Sequence, residues 1–213
     1  MNHARFLFIV AFILFFTACK CPDNSEDIGF SPVQREWFDS IPLGTSSFEV
    51  ISSFGVKEKS EVNKEYTTGI SYQSRRLKCD QAFDYDNCNV YYSVADYLFI
   101  FKLSSEHKPA RMEIDFHNFS SSYASFCNLN MNLDNPTEVH SVIYHPFSSL
   151  NLPLSIQIPD TIIRSTNFTD LYRVSFDLPS NALPSFVHKV WISRKYGLVA
   201  FQSLDEIIWY LKP

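Results

Sequence analysis

In three segments of the second half of the chain the apolar side chains fall on every second position. In RMEIDFHNF, Met112, Ile114 and Phe116 alternate with Arg111, Glu113, Asp115 and His117. LPLSIQIP repeats the pattern with Leu152, Leu154, Ile156 and Ile158, and YRVSFDLP with Tyr172, Val174, Phe176 and Leu178. A period of two sends successive side chains to opposite faces, so these segments read as strands of an antiparallel sheet that is covered on one side. YLFIFKL, residues 97–103, is almost wholly apolar and is expected to be a central strand buried on both faces. The last thirty residues read as a meander: FVHKVWISR, a turn at Lys195–Tyr196–Gly197, LVAFQS, a turn at Leu204–Glu206, then IIWYLK, with Trp191 and Trp209 on separate strands. Prolines at 109, 136, 146, 153, 159, 179 and 184 separate the strands and exclude long helices between them. The expected fold is mainly β, an antiparallel sheet forming a sandwich or an open barrel.

One short helix precedes the sheet. In FSPVQREWFDSIPLG, Ser31 caps, Pro32 suits the first helical position and Gln34 completes a capping box, while Pro42 and Gly44 end the segment. The pattern predicts a helix over 32–39, with Val33 and Trp37 one turn apart on the buried side.

The amino end has the order of an export signal: Arg5, the apolar run Phe6–Phe16, then Thr17 and Ala18. An eleven-residue run covers about half of the ~30 Å hydrocarbon core of a bilayer, so the segment is expected to be processed rather than to span. Phe16 is too bulky for the third position before an ordinary signal-peptidase cut. The order Phe16, Thr17, Ala18, Cys19 instead looks like a bacterial lipobox, with Phe where Leu is usual. That makes residues 1–18 a lipoprotein signal peptide and Cys19 the acylated mature terminus, a membrane partner through its acyl chains; two or more chains give stable attachment. A secreted, unanchored protein cut nearby is the alternative. Residues 19–29, with Lys20, Pro22, Asp23, Asn24, Ser25, Glu26 and Asp27, read as a polar tether, and residues 30–213 as a single globular domain.

Removing 18 of the 213 residues takes away Arg5 and leaves 17 basic against 23 acidic side chains. A polyanion binder needs clustered Lys and Arg, and the densest basic spots are Arg75, Arg76 and Lys78, then Arg194 and Lys195, which argues against a nucleic-acid partner. Of the four cysteines other than Cys19, Cys79 and Cys88 enclose the polar CDQAFDYDNC and are expected to pair in an oxidising compartment. Cys21 and Cys127 are then free or joined, since four cysteines allow three connectivities. No pair has the two-residue spacing of a zinc site, and neither a metal nor another cofactor is expected.

Taken together, the Phe-rich lipobox signal, FSPVQREWFDSIPLG, FEVISSFG and the closing VWISRKYGLVAFQSLDEIIWYL resemble the outer-membrane or periplasmic lipoproteins of Bacteroidetes-type bacteria, a group without an assigned activity. The resemblance covers about a third of the chain and implies a lipid anchor, most often at the outer membrane, and a β-rich domain. It carries no catalytic residues. The chain departs from the usual pattern in Phe16 and in the Cys79–Cys88 loop.

Chemistry-bearing motifs are sparse. DYDNCN spaces two aspartates as a calcium loop does, but its sixth position is Asn89 and its twelfth Ala95, where an EF-hand needs Gly and Glu. LGTSS lacks the second glycine of a nucleophile elbow at Ser46. His140 and His145 point to opposite faces of a strand, and His117 shares a polar face with Glu113 and Asp115. Asn118 and Asn167 occupy N-x-S/T sequons. The stretch 66–97 is rich in tyrosine and acidic or amide residues, and Tyr85, Tyr91, Tyr92, Asp84 and Asp86 form a possible glycan or peptide surface. The competing reading is a loop whose tyrosines pack on the sheet edge. Two functions follow: an anchored envelope protein with a binding or structural role, or a glycan-acting hydrolase using Glu113 and Asp115, whose strand spacing of about 7 Å suits a carboxylate pair.

Overall fold

The computed structural model describes residues 26–75, 78–106, 109–119, 125–145, 147, 151–159, 161–163 and 165–211. Cys19 and Cys21 lie outside them. The fold is mainly β, a curled antiparallel half-barrel with one short helix.

The chain enters through β1 (Glu26–Ile28) and α1 (Pro32–Arg35), and then lays down seven strands in order: β2 (Gly44–Ser52), β3 (Lys57–Arg75), β4 (Lys78–Val94), β5 (Tyr97–Ser104), β6 (Arg111–Asn118), β7 (Ser125–Asn132) and β8 (Val139–His145). From β3 onward each pairs antiparallel with the one before it. A second series follows, with β9 (Leu154–Ile158), the small hairpin β10 (Thr161–Ile163) and β11 (Thr166–Phe168), β12 (Leu171–Ser175), β13 (Val187–Ser193), β14 (Gly197–Ser203) and β15 (Ile208–Leu211). The two series become one sheet because β15 pairs with β2, Trp209 opposite Ser52, Tyr210 opposite Ile51 and Leu211 opposite Val50. The strand order is β8-β7-β6-β5-β4-β3-β2-β15-β14-β13-β12-β9.

Alternation decides the inside. Met112, Ile114 and Phe116 of β6, and Tyr172 and Val174 of β12 with Phe176 just beyond it, are buried in the concave core as their spacing predicts. The interior is largely aromatic. Phe99 and Phe201 meet at 4.8 Å, Phe116 and Phe176 at 5.5 Å, and Tyr144 of β8 touches Phe176 and Phe186 while its hydroxyl donates to Val187 O at 2.9 Å. These contacts press the two series together face to face.

Segment 30–43 crosses the remaining concave opening. The Ser31–Gln34 capping box forms, but α1 stops after four residues, short of the predicted 39. Phe38, fully buried, then adopts a left-handed backbone with φ 62°, which turns the chain instead of extending the helix. Trp37 stacks on Tyr172 of β12, and Phe38 meets Phe101 of β5 edge-on at 5.6 Å. Buried Lys64 of β3 donates to the carbonyls of Phe38 and Ile41 at 2.8 and 3.1 Å, and Gln34 donates to Ser104 O at 2.7 Å. The segment is thus bonded to both series.

Several expectations are corrected. β5 is buried on alternate residues only; Leu98, Ile100 and Lys102 lie half-buried on the convex face. Among the strands whose burial is fully described, the one buried along its whole length is β14, whose convex side is covered by Phe168 and Leu171, which pack on Val199 next to the β10–β11 hairpin. β9 faces the other way from its predicted register. Ser155, opposite Val174, is buried and donates to Pro136 O at 2.7 Å, whereas Leu154 is 62% exposed. The period shows which residues share a face but not which face is inward. Residues 26–28 of the expected tether are a strand, β1, parallel to Phe83–Tyr85 of β4. Cys79 and Cys88 do not pair: both lie on the continuous strand β4, where nine residues span about 30 Å, and Cys88 is a free, buried thiol, as is Cys127. A bridge requires Cα atoms within about 7 Å.

Deleting residues 198–213 removes β15 and nearly all of β14, which together join the two series. The truncated chain is expected to lose cooperative melting and protease resistance entirely; a soluble, protease-resistant truncation with a single sharp transition would contradict the β15–β2 linkage.

Candidate functional site

The tyrosine and aspartate positions of the possible ligand surface divide between two faces, because β4 alternates. Tyr92 points into the core, is 3% exposed and donates to Tyr196 O at 2.8 Å; burial pushes its phenol well above the ordinary range. Asp84 and Asp86 share its parity and are half-buried. Tyr85 and Tyr91 have the opposite parity. Tyr85 lies across Gly69, its cross-strand partner, so closely that a Cβ on residue 69 would collide with the phenol ring. The five residues form no common surface.

Glu113 and Asp115 do come together, on the convex face of β6. Lys102 of β5 donates to Asp115 Oδ2 at 2.5 Å and to Glu113 Oε1 at 3.3 Å, while Asn128 Nδ2 of β7 donates to Glu113 Oε1 and Asp115 Oδ1, both at 2.6 Å. Burial opposes the charge of Lys102, but its hydrogen bonds and Coulomb attraction to the two carboxylates outweigh this and raise its pKa. Both carboxylates are therefore engaged by one ammonium and one amide, an arrangement that ties three strands together. Beside it His117 stacks on Phe119, and Phe126 lies opposite both His117 and His145. Asn118 of the first sequon is buried and donates to Ser185 O at 2.9 Å; Asn167 is exposed.

A different site appears where β15 stops. β15 pairs with β2 at residues 50–52 and with β14 at 200–202, so beyond Leu211 the strands β2 and β14 continue with no described strand between them. The side chains of these two strand ends border a recess. Behind it, Phe38 N and Ser40 N donate to Arg194 O and Lys195 O, fixing the inner wall. The result is a cavity of about 210 Å3. Its floor is buried and apolar, with Ile41, Val62, Tyr92, Leu198 and Leu211; Ser40, Pro42 and Ser47 form an exposed rim.

Gly197 makes this geometry possible. Its φ is 67°, and a Cβ would run into the Tyr92 hydroxyl and press on Phe38. The residue is thus required both for the turn and for the approach of β14 to the core. Nothing in the sequence shows the cavity, since its walls come from five separated segments. The visible signal is this glycine in KYGLVAF, directly after the turn.

Comparison with protein-family models, curated proteins and solved structures returned no match.

Gly197→Ala is expected to destabilise the domain by about 2–4 kcal/mol, combining left-handed strain with overpacking, and to shift the near-ultraviolet signal of Tyr92. Chemical denaturation and near-ultraviolet circular dichroism read both; a variant as stable as the parent contradicts the close approach.

Proposed function

We propose that this is a lipid-anchored protein of a bacterial cell envelope, most simply the outer membrane, with a binding role and no chemistry of its own. The observation that carries the binding role is the cavity at the end of β15, with an apolar floor and a hydroxyl-bearing rim. Ligand sites usually combine a mostly apolar lining with a few polar groups that orient the ligand. At about 210 Å3 the cavity falls below the roughly 300–1,000 Å3 of sites that enclose a drug-sized ligand, so it suits one ring or a short alkyl branch of a larger molecule. Glu113 and Asp115 lie outside this cavity, bonded to Lys102 and Asn128, whereas glycosidic hydrolysis needs a carboxyl pair that flanks the bound substrate. The anchor rests on Phe16–Thr17–Ala18–Cys19 at the end of the apolar run.

Binding is tested with N-phenyl-1-naphthylamine as a fluorescent probe. Val62→Trp fills the floor and is expected to weaken probe binding at least tenfold while leaving the melting transition in place; undiminished binding by a folded variant sinks the cavity as the site.

Anchoring is tested separately. A fatty-acid analogue fed to cells should label the wild type, and Cys19→Ala should lose both the label and membrane fractionation. A variant still labelled and membrane-bound refutes acylation at Cys19.

A further inference from the structure

The longest hairpin reaches past the rest of the sheet. β2 leaves β3 at the Gly44–Lys64 pair, and β5 leaves β4 at the Asn87–Ser104 pair. Residues 65–75 and 78–86 continue as a two-stranded arm about 30 Å long, closing at the register pair Arg75–Lys78. Among the described residues the body's strands do not follow it, and the one other strand beside it is β1, with Glu26 opposite Phe83 and Ile28 opposite Tyr85.

The direction of β1 matters. β4 runs from the arm's tip toward the body, and β1 is parallel to it. Followed back from Ile28 to Glu26, β1 therefore points toward the tip. Lys78 precedes Phe83 by five positions, about 17 Å along the strand. Cys19 precedes Glu26 by seven, which reach about 24 Å when fully extended. The tether can thus carry Cys19 to the tip and only about 7 Å farther, a distance comparable to the 5–8 Å headgroup layer on each side of a bilayer's ~30 Å core.

Charge selects the same end. The whole chain carries a net charge of −5, yet the tip sequence places Arg75, Arg76 and Lys78 against the single acidic Asp80. An anionic membrane repels the body and attracts the tip.

We propose that the tip of the β3–β4 arm, at Arg75 and Lys78, rests on the anionic headgroups of the membrane that holds Cys19. The contact fixes the domain's orientation, with the arm as a strut between bilayer and body. This inference rests on the lipid-anchor reading above.

The test uses the full, acylated protein reconstituted on vesicles of phosphatidylcholine alone or with about 30% phosphatidylglycerol. Flotation with phosphatidylcholine vesicles reads the anchor, and tryptic cleavage at Arg75 and Lys78, relative to cleavage at Lys57 on the body, reads the tip. Cleavage at the tip is expected to be about tenfold slower on the anionic vesicles, as two basic side chains near a charged surface imply, and to recover at high salt. Protein that floats but is cut at the tip equally fast on both vesicles overturns the contact while leaving the anchor standing. Protein that fails to float overturns the anchor itself, and the contact with it.

Discussion

A curled sheet of this length presents an apolar concave face, and the fold depends on how that face is kept from water. Aromatic contacts between the two series close most of it, and the segment from Phe30 to Leu43 closes the rest. Lys64 is the telling residue. A cation buried in such a core is costly unless its donors are satisfied, and here two of them bond the carbonyls of Ile41 and of Phe38, which also accepts from Ile41 N in the turn that follows α1. The early end of the helix, the left-handed Phe38 and the buried lysine are thus one arrangement. Without it, Trp37 would have no fixed path to Tyr172.

How much of this was legible depends on whether the information was local. The period-two pattern of β6 and β12 gave strand, face and core together, since each residue's neighbours in sequence predict its environment. The same pattern misled at β9, where the apolar set Leu154, Ile156 and Ile158 faces outward and Ser155 faces in. β9 is an edge strand, its inward position bonded to Pro136 O, and nothing local reveals that. Pro153 and Pro159 flank it and blunt an edge that would otherwise invite pairing. YLFIFKL misled in another way: its residues look uniformly apolar, but the doubly covered strand is β14, whose second cover is a hairpin some thirty residues upstream.

The candidate site divides on the same line. Cys79 and Cys88 suggested a closed loop because closeness along a chain resembles closeness in space, which holds for turns and fails for extended strands. The tyrosine-rich stretch failed through parity, as one strand cannot present consecutive residues to one ligand. Glu113 and Asp115 were correctly placed together on one face; what the sequence could not show was Lys102 and Asn128 arriving from adjacent strands to occupy them. The cavity, built from Ile41, Val62, Tyr92 and Leu198, has no sequence pattern at all.

The three register pairs between β15 and β2 have a kinetic consequence. They join residues about 160 positions apart, so the loop-closure entropy for this contact must be met before any of its pairing is gained. A chain emerging amino end first can assemble β2 through β8 by short hairpins, yet the outer side of β2 has no partner until residues 208–211 arrive. During that interval the half-built sheet carries one long unpaired edge and an incompletely covered aromatic face, the state in which β-rich chains associate with one another. The final residues of the chain therefore bring the interval of greatest exposure to an end.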